Sequence, residues 1–151
     1  MKNSACIPTL TRLAFAAVIA LTFALAAAAQ EPAVSNTTKF GTVSKTDAAY
    51  TAALDAHNKD DAANMVGRSG SFRGTVSKVF MPGKGSIVIL NFDEDYKTAL
   101  TAVIKKADIS KFPDLEKLVG HEIVVSGKFI DYKGNAEIEL TDPKQILLVT
   151  K

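Results

Sequence analysis

The stretch from Gly120 to Ile146, GHEIVVSGKFIDYKGNAEIELTDPKQI, limits the possible folds of this chain more than any other. Ile123, Val125 and Phe129 alternate with Glu122, Val124 and Lys128, close to the period of two that a half-buried strand needs. Gly127 interrupts the run, and a glycine inside a strand often marks a bulge or a sharp bend. Asp131 to Asn135 supplies turn chemistry, because Gly134 and Asn135 both tolerate positive φ. Beyond the turn, Ile138 and Leu140 face one way while Glu137 and Glu139 face water. Asp142-Pro143 ends the strand, with Asp suited to cap a helical turn and Pro to its first position. Ile146 and Leu148 return to the core.

The upstream chain can be laid out as strands that pair with this ribbon. Gly70 to Pro82 begins them: Phe72, Gly74 and Val76 alternate, then Val79 and Met81 shift phase by one, which predicts a strongly bent first strand. Pro82-Gly83-Lys84-Gly85 is a turn. Ser86 to Asp93 is a second strand with Val88, Leu90 and Phe92 on one face, and Leu100, Ala102 and Ile104 mark a third. Ile109 to Leu118 reads as one or two helical turns with Phe112, Leu115 and Leu118 as the apolar side. The predicted core is Val76, Val88, Leu90, Phe92, Leu100, Ile104, Ile123, Val125, Ile138, Leu140 and Ile146.

The N-terminal third reads differently. Lys2 and Arg12 precede the apolar run Leu13 to Ala29, which ends in Ala27-Ala28-Ala29, so residues 1–29 are expected to be a signal peptide cleaved near Gln30. An uncleaved anchor is the other reading, since about twenty apolar residues can span a bilayer. Export places the mature protein in the periplasm or outside the cell, with no transmembrane span after cleavage. Cys6 leaves with the leader, so the mature chain has no thiol for a disulfide or a metal. Lys2 and Arg12 leave too, and the mature chain then carries 16 basic and 16 acidic residues. That balance argues against a strongly basic nucleic-acid domain. Residues 30–66 are expected to form a flexible arm, Gln30 to Lys45, and a helix, Thr46 to Val66, split near Asn58 to Asp61 and stopped by Gly67.

Three strands, a short helix and two strands is the element order of the OB-fold. Residues 66–148 resemble the OB-fold domains of bacterial exported proteins, in the superfamily that includes tRNA-anticodon-binding-like domains. The residues carrying the resemblance are Val66-Gly67, Gly74-Thr75-Val76, Gly120, Val125-Ser126-Gly127-Lys128, Tyr132-Lys133-Gly134, Glu137-Ile138 and Asp142-Pro143-Lys144-Gln145-Ile146. The expected fold is therefore mainly β. It is a five-stranded OB-fold Greek-key barrel over residues 67–151, with a short helix between strands three and four and an N-terminal helical extension.

Catalytic and metal chemistry find little support. His57 and His121 lie in different elements and read as unrelated surface histidines. Asp93-Glu94-Asp95 lacks the spacing and glycine of a calcium loop and reads as solvated. Asn36-Thr37-Thr38 fits a glycosylation sequon, a weak three-residue signal. Staphylococcal nucleases, relatives of this barrel, use arginines and carboxylates around a metal. The mature chain has only Arg68 and Arg73 to offer, so no enzyme and no cofactor is expected. OB-folds bind on strands two and three and the nearby loops, by stacking and basic groups. The candidate ligand-binding residues are Arg73, Lys78, Phe80, Tyr96, Lys128, Tyr132 and Lys133. The resemblance implies single-stranded nucleic acid or a similar polyanion as partner. A protein partner in the cell envelope is the alternative, favoured by the neutral charge. Against both, Phe80 reads equally as core and the lysines as solvated edge residues.

Overall fold

In the computed structural model, which describes residues 39–83 and 85–150, one long strand has partners on both edges. This is β7 (Glu122–Tyr132); the earlier strands are β1 (Gly41–Ser44), β2 (Leu54–Asp55), β3 (Ser69–Thr75), β4 (Lys78–Phe80), β5 (Ile87–Asn91) and β6 (Thr101–Lys105), and the later ones β8 (Asn135–Leu140) and β9 (Ile146–Thr150). One edge of β7 carries β3, antiparallel from Ser69↔Lys128 to Thr75↔Glu122. The other carries β9 at Ile123–Val125 and β8 at Phe129–Tyr132. Gly127 lies where that second edge passes from β9 to β8. A side chain there would meet Ile138 Cγ2 at 2.7 Å and Gln145 Nε2 at 2.8 Å, so close approach rather than a bulge requires the glycine.

From β8 the ladder runs parallel to β6, then antiparallel to β5 and β4. Val76 and Ser77 join β3 to β4, so the pairings return to their start and the sheet is curled. The predicted phase shift falls at this joint. Val76 bonds the chain just before β7, through its N–H to His121 O at 3.0 Å and its carbonyl to Gly120 N at 2.8 Å. Ser77 N–H turns instead to Asn91 O at 2.9 Å. The strand thus hands over from β7 to β5 within two residues.

All eleven predicted core residues are buried inside the curl. Phe72 joins them, edge-on to Phe92 with ring centroids 4.9 Å apart, as does Phe129. Each such side chain contributes about 1.5–3 kcal/mol through removal from water. The helical stretch before β7 is two pieces, α3 (Lys106–Ile109) and a 3₁₀ turn, Leu115–Leu118, whose N-terminus Asp114 caps through Glu116 N–H. After β8, Asp142 and Gln145 close a capping box around Pro143–Gln145, as the Asp-Pro pair predicts.

The N-terminal expectations need correction. Gly41–Ser44 is no flexible arm: it is β1, parallel to β9 from Gly41↔Leu147 to Ser44↔Thr150. The expected split helix over 46–66 is present as two short helices, α1 (Ala48–Thr51) and α2 (Lys59–Asn64), but an unexpected strand, β2, separates them. Helices this short have little stability of their own, so tertiary pairing decides the backbone. Here β2 lies parallel to β3, and Ala56 N–H bonds Arg73 O at 2.8 Å. Asn58 restarts the helix by accepting from Asp61 N–H, close to the predicted break. This segment also buries Val124, whose alternation assigned it to the wet face. Val43, Ala53 and Val124 form a second small core with Tyr50, Leu147 and Val149 packed on it.

No helix among the described residues is long and apolar enough to cross a membrane. The expected signal peptide, its cleavage site and the Asn36 sequon lie outside the described residues.

Candidate binding cleft

The outward positions of the curled sheet fall into rows because the registers of four strands line up. Lys78 pairs with Asn91, Asn91 with Thr101, and Thr101 with Glu137, giving one polar row across β4, β5, β6 and β8. The next row is Phe80, Ile89, Val103 and Glu139. These residues alternate with the buried Val79, Leu90, Ala102 and Ile138, so the core pattern alone turns them outward.

Over the polar row lies an open cleft of about 370 Å³. Its floor includes Asn91, Thr101 and Glu137, and its walls include Phe80, Tyr96 and Tyr132, with Lys133 at the rim. The three aromatic side chains are 42%, 61% and 55% exposed, unusual for such large apolar surfaces in one place. Each carries a lysine. Lys78 Nζ is 5.4 Å from the Phe80 ring centre, Lys97 5.8 Å from Tyr96 and Lys133 5.1 Å from Tyr132. Cation–π attraction of about 0.5–1 kcal/mol holds such exposed pairs together.

Two devices position the walls. Tyr132 stands beside a two-residue turn in which Lys133 has φ 55° and Gly134 φ 83°, both left-handed. The turn is fixed by Gly134 N–H donating to Asp131 Oδ1 at 2.8 Å. Asn135, expected to share the positive φ, is instead the first residue of β8. Tyr96 sits on the loop after β5, which two contacts tie down. Lys59 donates from α2 to Lys97 O at 2.6 Å and to Asn135 Oδ1 at 3.0 Å. His57 bridges Asp55 at 3.1 Å and Asp93 at 3.0 Å. These hydrogen bonds, to Asp55 and then to Asp93, raise the His57 pKa from its ordinary value. Reading His57 as an unrelated surface residue missed this, although the Asp55-x-His57 spacing is visible. Among the described residues no group of three His, Cys, Asp or Glu side chains could hold a metal ion.

Of the seven predicted site residues, Phe80, Tyr96, Tyr132 and Lys133 line the cleft, and Lys78 stands over Phe80. Arg73 and Lys128 do not. Arg73 is 4.8 Å from the Tyr50 ring centre and donates to the carbonyls of Ala53 and Tyr50, binding the N-terminal segment to β3. Lys128 pairs with Ser69 across the β3–β7 ladder, where its side chain is exposed. The expectation that Glu137 faces water also fails, since only 8% of the residue is accessible. Burial raises its pKa and the Glu139 charge adds to this; the Thr101 hydroxyl, donating at 3.4 Å, and the Lys105 charge oppose it. Asn91, Thr101, Glu137 and the bracing Lys59 escaped the sequence reading. Alternation could have pointed the first three outward, but only the cross-strand register shows that they share a row.

No protein-family model matches this chain, and no curated protein matches it. Among solved structures, the OBody AM1L10 bound to hen egg-white lysozyme is similar, with a TM-score of 0.40 and 21% identity over 59% of this chain and 85% of that one.

Proposed function

We propose that this chain is an exported, non-enzymatic binding protein that takes single-stranded nucleic acid across the β4–β5–β6 face. On this reading the fold is an OB-fold Greek-key barrel: β3 with β4 is strand one, β5, β6, β7 and β8 are strands two to five, and residues 39–64 are an extension. The closed order of pairings supports that assignment.

The observation that carries the function is the threefold repeat of exposed ring and lysine around one cleft. A flat π-face stacks any base, at about 1–3 kcal/mol per base, and a neighbouring ammonium meets the phosphate that follows it. A cleft of about 370 Å³ holds a nucleotide. The neutral mature chain does not prevent this, because the relevant charge is local.

Fluorescence anisotropy with a labelled hexadeoxythymidylate tests the reading. Binding should weaken with salt at a slope near −2 in log K against log[salt], as expected if three lysines each meet a phosphate of a single strand. No binding at low salt overturns it, as does binding indifferent to salt. In either case a protein partner becomes the better reading.

A further inference from the structure

The floor of the cleft carries more chemistry than stacking needs. A stacking groove works with apolar or solvated surroundings, yet here an amide and a carboxyl group stand on the cleft floor, on residues that are largely buried. Asn91 and Glu137 are each only 8% accessible, and both line the cleft. The Asn91 side chain makes no hydrogen bond among the described residues and Glu137 receives only the long Thr101 contact of 3.4 Å, so their unpaired polar atoms are ones that still reach solvent. The nearest charges, Glu139 and Lys105, pair with each other at 2.7 Å rather than with Glu137. The row therefore presents unfilled acceptors at one end and an unfilled amide at the other. With Thr101 between them, and strands about 4.8 Å apart, the Asn91 and Glu137 backbones stand about 10 Å from each other. That distance suits a base edge with a hydrogen bond at each end.

We propose that Glu137 and Asn91 read the edge of one stacked base and select guanine. The inference rests on the single-strand reading above. Single-stranded bases expose their Watson–Crick edges to side chains. Guanine presents two adjacent donors, N1–H and the N2 amino group, which match the two oxygens of one carboxylate, and an acceptor, O6, which matches an amide N–H. Cytosine and adenine present one amino group beside a ring nitrogen acceptor that faces the carboxylate unfavourably. Thymine presents one N–H between two carbonyl oxygens. Guanine alone fills both ends of the row. A bidentate, charge-assisted pair is also the strongest such contact available. Tyr132 and Tyr96 supply the stacking surfaces, and Lys133 and Lys78 lie where the flanking phosphates would run.

The test uses hexadeoxythymidylate probes whose third base is guanine, adenine, cytosine, thymine or hypoxanthine, at low salt, with the wild-type chain and Glu137→Gln. Guanine should bind at least about tenfold more tightly than the other bases, in line with bidentate discrimination. Hypoxanthine, lacking only the 2-amino group, should lose most of that preference. Glu137→Gln should erase it, and Asn91→Ala should reduce it. Circular dichroism melts of both variants establish that they fold. Equal affinity for all probes, preference for another base, or a guanine preference that survives Glu137→Gln overturns the inference while leaving the stacking groove intact. Failure of every probe to bind is the separate outcome that removes the single-strand reading, and this inference with it.

Discussion

Two tyrosines, each beside a cation, stand on opposite flanks of the sheet. Tyr50 packs under Arg73, with the two groups 4.8 Å apart. Its hydroxyl donates to Glu122 at 2.7 Å, and Glu122 also takes Lys45 at 2.7 Å, a contact that holds its pKa down. Tyr132 has Lys133 at 5.1 Å, no hydroxyl partner among the described residues, and open space beside it. The residue types are nearly the same and the roles are opposed. In the first flank every polar end is met by this chain, so the cluster binds the N-terminal segment to the sheet. In the second the Tyr132 hydroxyl and the Lys133 ammonium meet no hydrogen-bonding partner among the described residues. Residue type does not separate the structural cluster from the proposed binding one; whether the chain supplies the partners does.

The contrast fails entirely if the shared core fails. Ile138 lies beneath the cleft and belongs to the core inside the curl. Ile138→Ala should cost about 2–5 kcal/mol in a urea melt; a loss of a few tenths would mean that the inward face is misassigned. Arg73→Ala comes next. It should cost about 1–2 kcal/mol, the range for a partly exposed charged donor, and leave oligonucleotide affinity unchanged. A matching loss of affinity would show that the two flanks are coupled. Tyr132→Ala should do the reverse, lowering affinity about tenfold and stability by no more than about 0.5 kcal/mol. If stability falls and affinity holds, Tyr132 is a structural lid, and the contrast dissolves.

The smallest effect concerns the seam between the two regions, at His57. Its partners raise its pKa above 6.5. They are themselves lowered from 3.8, Asp55 chiefly by accepting the His57 backbone N–H and Asp93 chiefly by the imidazole contact. A raised histidine contributes stability that is whole below its unfolded pKa and is lost as pH rises through the folded value. Lowered carboxylates contribute stability that is whole above theirs and is lost as pH falls through the folded values. The seam should therefore be tightest between about pH 4 and 6.5. All three groups are substantially exposed, so the effect is slight. A proton NMR titration should find His57 above 6.5, and His57→Gln should return Asp93 towards 3.8; an unshifted imidazole would mean that the bridge does not persist in solution.

Much of the fold was legible because β alternation is a local signal. Leu90, Ile138 and the rest of the inward set needed only their neighbours to be assigned. The Val76 phase shift and the Asp142 cap were equally local. What escaped depended on distant pairing. Nothing near Thr42 or Val43 reveals that β9, about a hundred residues away, completes their strand. Nothing near Val124 reveals that Ala53 covers it. The same limit governed the site. Rings and lysines at Phe80, Tyr96 and Tyr132 were visible by type, but their convergence, and the exclusion of Arg73 and Lys128, follow from register.

The double-edged β7 has a consequence for how the chain acquires its structure. Its pairing with β8 closes across a two-residue turn and needs no distant partner. Pairing with β9 waits for residues 146–148, and β1 can dock only after β9 is in place. Loop closure makes such distant pairings slow, while a hairpin forms in about 1–10 μs. The hairpin that carries Tyr132 should thus be the seed, and the first strand in sequence the last to find its place. Until then β9 keeps an open edge, the kind of surface on which unfinished chains join one another. Pulse-labelled hydrogen exchange during refolding should protect Ile130 and Glu137 amides well before the β1 amides that face β9; the opposite order would place the nucleus at the N-terminal segment.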